Sequence, residues 1–360
     1  MTFFSVLLLA GVMALAPTLV YALFLWWLDR YEKEPLPLLA VAFVWGAVPA
    51  IALALAIEIG SDFPLRALIL TADAQKLTEV GLIAPIAEEA VKAIILVALF
   101  LFSWREFDDV LDGVIYGAMV GLGFAFVENV IYLTGSAYEG TGRAGHPDVN
   151  NLVQLWVLRA GLFGLNHSMF TAFTGAALGL ARSLKKPWQR GLVPSLGLGM
   201  AMILHSLHNA LTSVVAVYAR DDRNSGLILG ACLGLLVSDW GGLLLILVVA
   251  IISSVREAQV IRQTLWEEVA LGRFTPDEYA TLISGRTRWR ARWAVLFSAG
   301  FRRWTQLGKF FDLATELAFR KHRMNDGSAA RRAMCADDVA RLRGEIDNLK
   351  LAMVGAQAQG

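Results

Sequence analysis

The sequence predicts an all-α, polytopic membrane protein, and three observations support this fold class. Hydrophobic residues make up 56% of the 360 residues, whereas charged residues make up only 18%. The mean hydropathy of +0.55 lies above the range of soluble domains of this length. About seven apolar stretches are long enough to cross a bilayer as helices. The chain is therefore expected to form a transmembrane helical bundle.

The first apolar stretch is interpreted as an uncleaved span. Ala14-Leu15-Ala16 resembles a cleavage site, but no basic segment precedes it, Pro17 follows it, and the apolar run continues. A signal peptide normally begins with a basic region and ends soon after its apolar part. The predicted spans are 3–28, 38–59, 80–102, 111–133, 152–180, 192–218 and 226–254.

Residues 255–360 form a second unit, a basic helical tail after the bundle of residues 1–254. Thr275 to Glu278 reads as a capping box with proline at the first helical position, so a helix should begin there. Between Arg286 and Arg323, basic residues alternate with aromatic ones. This segment is expected either to lie in the interface of an anionic leaflet or to pack on the cytoplasmic end of the bundle. No nucleic-acid readout motif accompanies it, so no nucleic-acid partner is expected.

Basic residues in the short loops predict an orientation, because Lys and Arg concentrate on the cytoplasmic side. An N-terminus outside and a C-terminus in the cytoplasm give seven such residues inside and five outside. The count therefore predicts a multi-pass membrane protein with this orientation. The inner set is Arg30, Lys33, Arg105, Arg182, Lys185, Lys186 and Arg190, and the outer set is Arg66, Lys76, Arg143, Arg220 and Arg223.

Two adjacent carboxylates and a lysine stand out within the third span. Glu88, Glu89 and Lys92 are the only charged residues from Val80 to Phe102. An ionised group in hydrocarbon is costly, so such residues usually face a bundle interior and serve a pathway or a reaction. Glu88 and Lys92 share a helical face, and Glu89 lies about 100° away. The alternative is a structural Glu-Lys pair that ties two helices together.

The fourth span combines a glycine face with two polar residues. Gly117 and Gly121 form a small-xxx-small pattern that lets a neighbouring backbone approach closely. Glu128 and Asn129 place a carboxylate and an amide in the same apolar segment. The glycines alone are usually a packing feature, whereas an intramembrane glutamate points to function.

Histidines follow in the fifth and sixth spans. His167 alone could be a hydrogen-bonded contact between helices. His205, His208 and Asn209 are spaced to line one helical face. At about 1.5 Å per residue, Glu88 and Glu128 fall in the same leaflet, and the histidines lie nearer the midplane. We therefore expect four helices to bring these groups to one cavity that opens outward.

Three chemistries are open to carboxylates, imidazoles and an amide in such a cavity. A carboxylate can activate water while an imidazole or amide stabilises an oxyanion. Glutamate and histidine can hold a divalent metal that lowers the pKa of its bound water. The same groups can relay protons or ions, as in an ion-coupled transporter. No inverted repeat or pair of interrupted helices is recognisable, which disfavours a transporter.

These motifs, as an ordered set, resemble the PrsW family of bacterial intramembrane proteases, which is similar in motif to the CAAX prenyl endopeptidases. The resemblance covers residues 3–218. It implies cleavage of membrane-anchored protein substrates, in the best-known case an anti-sigma factor cut on its extracytoplasmic side. The residues that carry it are Leu28–Pro35, Pro85–Lys92, Gly121–Asn129, His167 and His205–Asn209.

The resemblance also implies roles for individual residues. Glu88 corresponds to the water-activating glutamate and Glu89 to its partner, while Glu128, His205 and Asn209 match further catalytic positions. A metal such as Zn²⁺ would use Glu88, Glu128, His167 and His205, whereas the CAAX-type mechanism needs no metal. Glu128 and Asn129 stand where the CAAX enzymes have histidine, so their oxyanion geometry transfers only loosely. The competing hypothesis is a non-proteolytic membrane receptor or ion-coupled transporter that uses the same cavity.

Overall fold

Every regular element in the part of the chain that the structure describes is helical. The computed structural model describes residues 2–29, 31, 33–68, 71–104, 106–138, 147–218, 224–326 and 329–355. Five loop arginines on which the predicted orientation depends lie outside these ranges, namely Arg30, Arg105, Arg143, Arg220 and Arg223. The helices are α1 Phe3–Leu28, α2 Leu36–Trp45, α3 Ile51–Leu68, α4 Ala72–Thr78, α5 Ala84–Phe102, α6 Val110–Ser136, α7 Val149–Trp156, α8 Asn166–Ser183, α9 Pro187–Tyr218, α10 Ser225–Leu235, α11 Gly241–Ala270, α12 Pro276–Leu282, α13 Gly285–Asp326 and α14 Ala329–Gly355.

The chain forms two compact units. The first contains residues 1–28 and 34–250, and the second contains residues 29–33 and 251–360. In the described part of the first unit, π-helical turns link successive helices at Gly46–Ala50, Glu79–Ile83, Val157–Leu162 and Leu236–Trp240. Such turns are rare in proteins, and those that do occur often lie at functional sites.

Among the described residues, five helical segments are long and apolar enough to cross a membrane, which confirms a polytopic α-helical membrane protein. They are Phe3–Leu28, Leu36–Ser61, Val110–Ser136, Pro187–Tyr218 and Ser225–Ala270. The predicted third and fifth spans are not among them. Helix α5 has only 19 residues and carries the three charges of Glu88, Glu89 and Lys92. The predicted fifth span is interrupted between α7 and α8.

The prediction of one continuous helix over residues 152–180 was wrong. Helix α7 ends at Trp156, a π-helical turn follows, and α8 begins only at Asn166. The Tyr21 hydroxyl donates a 2.6 Å hydrogen bond to the Ala160 carbonyl. A Cβ at Gly164 would lie 2.6 Å from the Tyr21 ring. The interruption therefore frees a carbonyl that the tyrosine satisfies, and only a glycine leaves room for its ring.

Helices α6 and α8 pack backbone against backbone through glycines. A Cβ at Gly117 or Gly121 would overlap the backbone of Thr171 or His167, and a Cβ at Gly175 would overlap Gly113. The small-xxx-small prediction for Gly117 and Gly121 is therefore confirmed. This contact sets the position of His167 relative to the fourth span.

We predict that Gly121→Ala destabilises the bundle by about 1–3 kcal/mol, the usual cost of overpacking a well-packed interior. The added methyl group would overlap the His167 carbonyl, so α8 must move away from α6. Gly135→Ala is the matched control, because it lies in the same helix and its Cβ would meet no atom within 4 Å. Unfolding of both variants in detergent measures the difference. Equal stability of the two variants would contradict the packing role of Gly121.

The predicted capping box is confirmed at the start of α12, in the second unit. The Thr275 hydroxyl accepts a hydrogen bond from the Glu278 amide at 3.2 Å, and the Glu278 carboxylate accepts one from the Thr275 amide at 2.7 Å. Helix α13 is interrupted at Gly300, where φ is 78° and ψ is 178°. Essentially only glycine adopts this conformation. Two helical segments therefore meet at Gly300.

Candidate active site

Lys92 is the centre of a buried charged cluster in the first unit. Its Nζ atom lies 3.1 Å from Glu88 Oε2 and 2.8 Å from Glu89 Oε1. The lysine is completely buried, and its ammonium group lies 3.7 Å from the centre of the Phe124 ring. Spacing of three and four residues on α5 brings all three charges to one side of the helix. Because both carboxylates are also buried, Lys92 supplies charge compensation that water cannot supply.

His205 of α9 lies against both carboxylates. Its Nδ1 atom is 3.1 Å from Glu89 Oε1, and its Nε2 atom is 3.8 Å from Glu88 Oε2. The ring stacks on Phe170 at a centroid distance of 4.8 Å. A carboxylate only accepts hydrogen bonds, so Nδ1 carries the proton and the lone pair of Nε2 faces Glu88. Glu89 thereby fixes both the tautomer and the orientation of His205.

His167 of α8 is held in the same way by Glu128. Its Nε2 atom lies 2.7 Å from Glu128 Oε2, while its Nδ1 atom is 3.9 Å from Glu88 Oε2 and 3.1 Å from Lys92 Nζ. The two imidazole rings are nearly perpendicular, with centroids 4.9 Å apart. Both histidines therefore present their unprotonated nitrogens toward Glu88.

Two further side chains anchor the outer parts of the cluster. Thr171 donates a 2.9 Å hydrogen bond to the second oxygen of Glu89. Arg159 lies in the π-helical turn before α8 and donates to Glu128 at 2.7 Å and to Asn129 at 2.9 Å. Three carboxylates then face two permanent cations, Lys92 and Arg159. With neutral histidines, the cluster carries an excess of one negative charge, which favours a bound cation or proton.

The donor set at Glu88 fits a divalent metal. Ligand atoms of Glu88, His167 and His205 lie within 4.8 Å of one another, and two histidines with one glutamate form a known catalytic zinc set. Carboxylates hold the far nitrogen of each imidazole, as is usual for metal-bound histidine. Glu128 differs from the sequence prediction, because it lies behind His167 rather than among the converging ligand atoms. The two nitrogens of one imidazole point apart, so Glu128 and Glu88 contact opposite sides of the ring.

Asn209 is the predicted site residue that is engaged elsewhere. It follows His205 by one turn on α9, and its amide donates a 3.0 Å hydrogen bond to the Val80 carbonyl. Val80 belongs to the π-helical turn before α5. In this position the amide satisfies a carbonyl of the irregular turn and ties α9 to the segment that leads into Glu88. The catalytic role of Asn209 stays a prediction.

A second polar cluster lies around Asp239 in the seventh predicted span. Asp239 is 1% exposed, and its Oδ2 atom lies 2.7 Å from His208 Nδ1 and 3.1 Å from Asn166 Nδ2. Ser238 donates to the other oxygen at 3.0 Å. The π-helical turn at Leu236–Trp240 brings both Ser238 and Asp239 to the protein side. Three helices are thus joined by one carboxylate.

We predict that Asp239→Ala lowers the free energy of unfolding by about 1–3 kcal/mol, because His208 and Asn166 lose a buried acceptor. Ser238→Ala is the matched control, since it removes one donor from a carboxylate that keeps its other partners. We expect the control to lose less than about 1.5 kcal/mol, the net value of a typical hydrogen bond. Unfolding in detergent measures both changes. Wild-type stability of Asp239→Ala would refute the joining role of this carboxylate.

The sequence analysis missed Arg159 and Asp239, although a usable signal was present. Each is an isolated charged residue within a predicted apolar span, 152–180 for Arg159 and 226–254 for Asp239. The rule that drew attention to Glu88 applies equally to them. Their partners, however, lie about 30 residues away in sequence, at Glu128 and His208. Those partners could not be assigned without the fold.

The known proteins to which the chain is similar are PrsW proteases. The sequence model of a protein family described as PrsW family intramembrane metalloprotease matches residues 34–233. This range includes every predicted site residue. The protease PrsW of Geobacillus kaustophilus is 30% identical over 176 residues, which cover 46% of this chain and 66% of the relative. The protease PrsW of Clostridioides difficile is 31% identical over 121 residues, covering 34% of this chain and 49% of the relative.

A shorter match has higher identity. The protease PrsW of Bacillus subtilis is 44% identical over 52 residues, which cover 14% of this chain and 23% of the relative. The chain thus spans less than two thirds of the length of each of these relatives. No solved structure matches. Because the family match covers more than half of the chain and contains the whole buried cluster, the chain belongs to the PrsW family of intramembrane metalloproteases.

Proposed function

We propose that this protein is an intramembrane endopeptidase that hydrolyses peptide bonds of membrane-anchored protein substrates. The observation that supports it best is the position of Glu88, which lies buried between the unprotonated nitrogens of His167 and His205. Each imidazole is fixed from behind by a second carboxylate, Glu128 or Glu89. Preorganised groups of this kind favour hydrolysis inside a low-dielectric bundle.

In this proposal Glu88 takes the proton from the attacking water. Its Oε2 atom is 3.8 Å from His205 Nε2 and 3.9 Å from His167 Nδ1, too long for direct hydrogen bonds. Both distances can be bridged by a water that contacts the carboxylate and an imidazole. His205 Nε2 is then the next acceptor, and it can pass the proton to the leaving amine. Glu89 stabilises the imidazolium that forms.

We propose further a metal-dependent form of this reaction, in which Glu88, His167 and His205 would hold a divalent ion such as Zn²⁺ and His205 Nε2 would be a ligand instead of a proton acceptor. When bound, such an ion would polarise the scissile carbonyl and lower the pKa of its water to about 7. The Lys92 ammonium is 3.1 Å from two of the same ligand atoms, so it competes with the ion for them. The alternative is a metal-independent mechanism in which Lys92 remains beside Glu88.

The test is cleavage of a single-span protein substrate by the purified protein in proteoliposomes. We expect cleavage that stops after chelation and returns with added Zn²⁺. We also expect about one bound zinc per chain in the wild type and none in His205→Ala, measured by elemental analysis. Full activity of metal-free protein would establish the glutamate mechanism. Absence of cleavage with a panel of anchored substrates, together with solute or proton flux, would favour a transporter instead.

We propose an outward N-terminus and a cytoplasmic C-terminus in a bacterial inner membrane. The support is the excess of Lys and Arg in the loops that this orientation places inside. Cleavage on the extracytoplasmic side, as expected for an anti-sigma factor, also requires it. Reporter fusions at either terminus test the orientation. Activity of a cytoplasm-specific reporter at the N-terminus would contradict the proposed orientation.

A further inference from the structure

A row of aromatic side chains is exposed on the second unit. Trp289, Trp293, Phe297 and Phe301, here called the aromatic face, are 57%, 42%, 82% and 68% exposed. The first three recur every four residues, so they follow one side of α13 before Gly300. Successive rings lie in contact, with centroids 6.0 and 5.7 Å apart. Contiguous apolar surface of this kind marks an interaction site.

The opposite side of the same helical segment buries an arginine, and a second arginine packs on an aromatic ring. Arg288 is 5% exposed and donates hydrogen bonds to Thr315 and to the Leu282 carbonyl, both at 2.8 Å. The guanidinium of Arg292 lies 4.2 Å from the centre of the Trp304 ring. The segment therefore directs Arg288 inward and its aromatic rings outward. This distribution is the reverse of a helix that meets only water, which indicates that the aromatic face meets an apolar phase.

The stretch of sequence that carries the aromatic face has positive charges and no negative ones. No acidic residue occurs from Gly285 to Phe311, whereas this stretch contains seven basic residues, Arg286, Arg288, Arg290, Arg292, Arg302, Arg303 and Lys309. Arg286, Arg290 and Arg302 are exposed. On an ideal helix, Arg286 and Arg290 project within about 100° of Trp289. The partner of this surface must therefore combine apolar groups with negative charge.

Chain connectivity keeps the second unit close to the bilayer. Ile261, which is fully buried in the core of the second unit, follows Ser254, the end of the last predicted span, by only seven positions. Seven residues of helix extend roughly 10 Å. The last span therefore tethers this unit close to a membrane surface. Among partners that are both apolar and anionic, the membrane has the highest effective concentration at this unit.

We infer that the aromatic face inserts into the interface of an anionic bilayer. The rings would occupy the boundary between headgroups and acyl chains, where aromatic side chains are favoured. Arg286 and Arg290 would pair with lipid phosphates beside them. Each arginine near an anionic surface raises the equilibrium constant for membrane binding about fivefold, from about 1 kcal/mol per residue. This inference does not depend on the proposed proteolytic activity.

The test uses the full chain, one copy per nanodisc, with Cys232 and Cys335 replaced by alanine. A nitroxide label is attached in Phe297→Cys, and matched control labels in Leu351→Cys and Leu271→Cys, which are 71% and 66% exposed in the wild type. Collision rates with oxygen, which enters lipid, and with a nickel chelate, which stays in water, report the depth of each label. Trp293→Cys is the second labelling position if Phe297→Cys does not fold.

In discs of phosphatidylglycerol and phosphatidylcholine, we expect the label at 297 to favour oxygen several-fold over both controls. Arg286→Gln with Arg290→Gln should shift it toward the nickel chelate, as should discs of phosphatidylcholine alone. Nickel exposure equal to the controls in every disc would overturn the inference. Protection from both reagents would show that protein covers the aromatic face, and spin–spin broadening at several copies per disc would identify a second copy as that cover.

Discussion

Replacing Glu88 by glutamine is expected to slow substrate cleavage by about 10²–10⁴-fold, the usual contribution of a general base. Glutamine keeps the shape of the side chain but cannot accept a proton from water. Lys92 retains its 2.8 Å contact with Glu89 in this variant, so the charged cluster stays compensated. The measurement is the rate of cleavage of one single-span substrate in proteoliposomes at matched protein levels.

The matched control for this experiment is Glu79→Gln. Glu79 begins the π-helical turn that precedes α5, so the substitution removes a carboxylate from the same segment. We expect this control to cleave at close to the wild-type rate. Cleavage by Glu88→Gln at the rate of the control would remove Glu88 from the reaction. Equal loss in both variants would point to the segment rather than to one carboxylate.

Replacing Lys92 by methionine is expected to lower the free energy of unfolding by about 3–5 kcal/mol, the usual cost of breaking a buried ion pair. Glu88 and Glu89 would then face each other inside the bundle without the cation that lies 3.1 and 2.8 Å from them. Water cannot replace it, because the lysine is completely buried. Unfolding in detergent, followed by circular dichroism, measures the change.

Two comparisons separate this effect from a general loss of lysine. Lys350→Met removes a lysine that lies 2.8 Å from Glu278, with both side chains 29% exposed, and it should cost no more than about 1 kcal/mol. Adding Glu88→Gln to Lys92→Met should restore part of the stability, because one uncompensated carboxylate is removed. A loss for Lys92→Met no larger than for Lys350→Met would refute the electrostatic account of the cluster.

The sequence predicted much of the site because the membrane restricts what polar residues can do. Each of the motifs around Glu88, Glu128, His167 and His205 contains polar groups in an apolar span, and the structure places these four residues in one cluster. The glycine contact of Gly121 was also predictable, because small residues at helical spacing mark close packing in membranes. These inferences depend on residue type and local spacing alone.

Other features depended on contacts between distant parts of the chain. Asn209 has the spacing of a site residue, yet the carbonyl that it satisfies belongs to the irregular turn at Val80. Arg159 and Asp239 are visible as charges, but only the interrupted fifth span and the turn at Leu236–Trp240 give them partners. Local helix propensity does not distinguish a π-helical turn from the α-helix around it, because such turns are rare single-turn insertions within α-helices.

The sequence by itself determined the helical membrane class, the family resemblance and the four principal residues of the candidate site. Burial of charge in hydrocarbon is so costly that these residues had to face one another. Only the tertiary structure decided which atom meets which partner. Glu128 supports His167 from behind because the two imidazole nitrogens point in opposite directions, and that arrangement depends on how closely α6 and α8 approach.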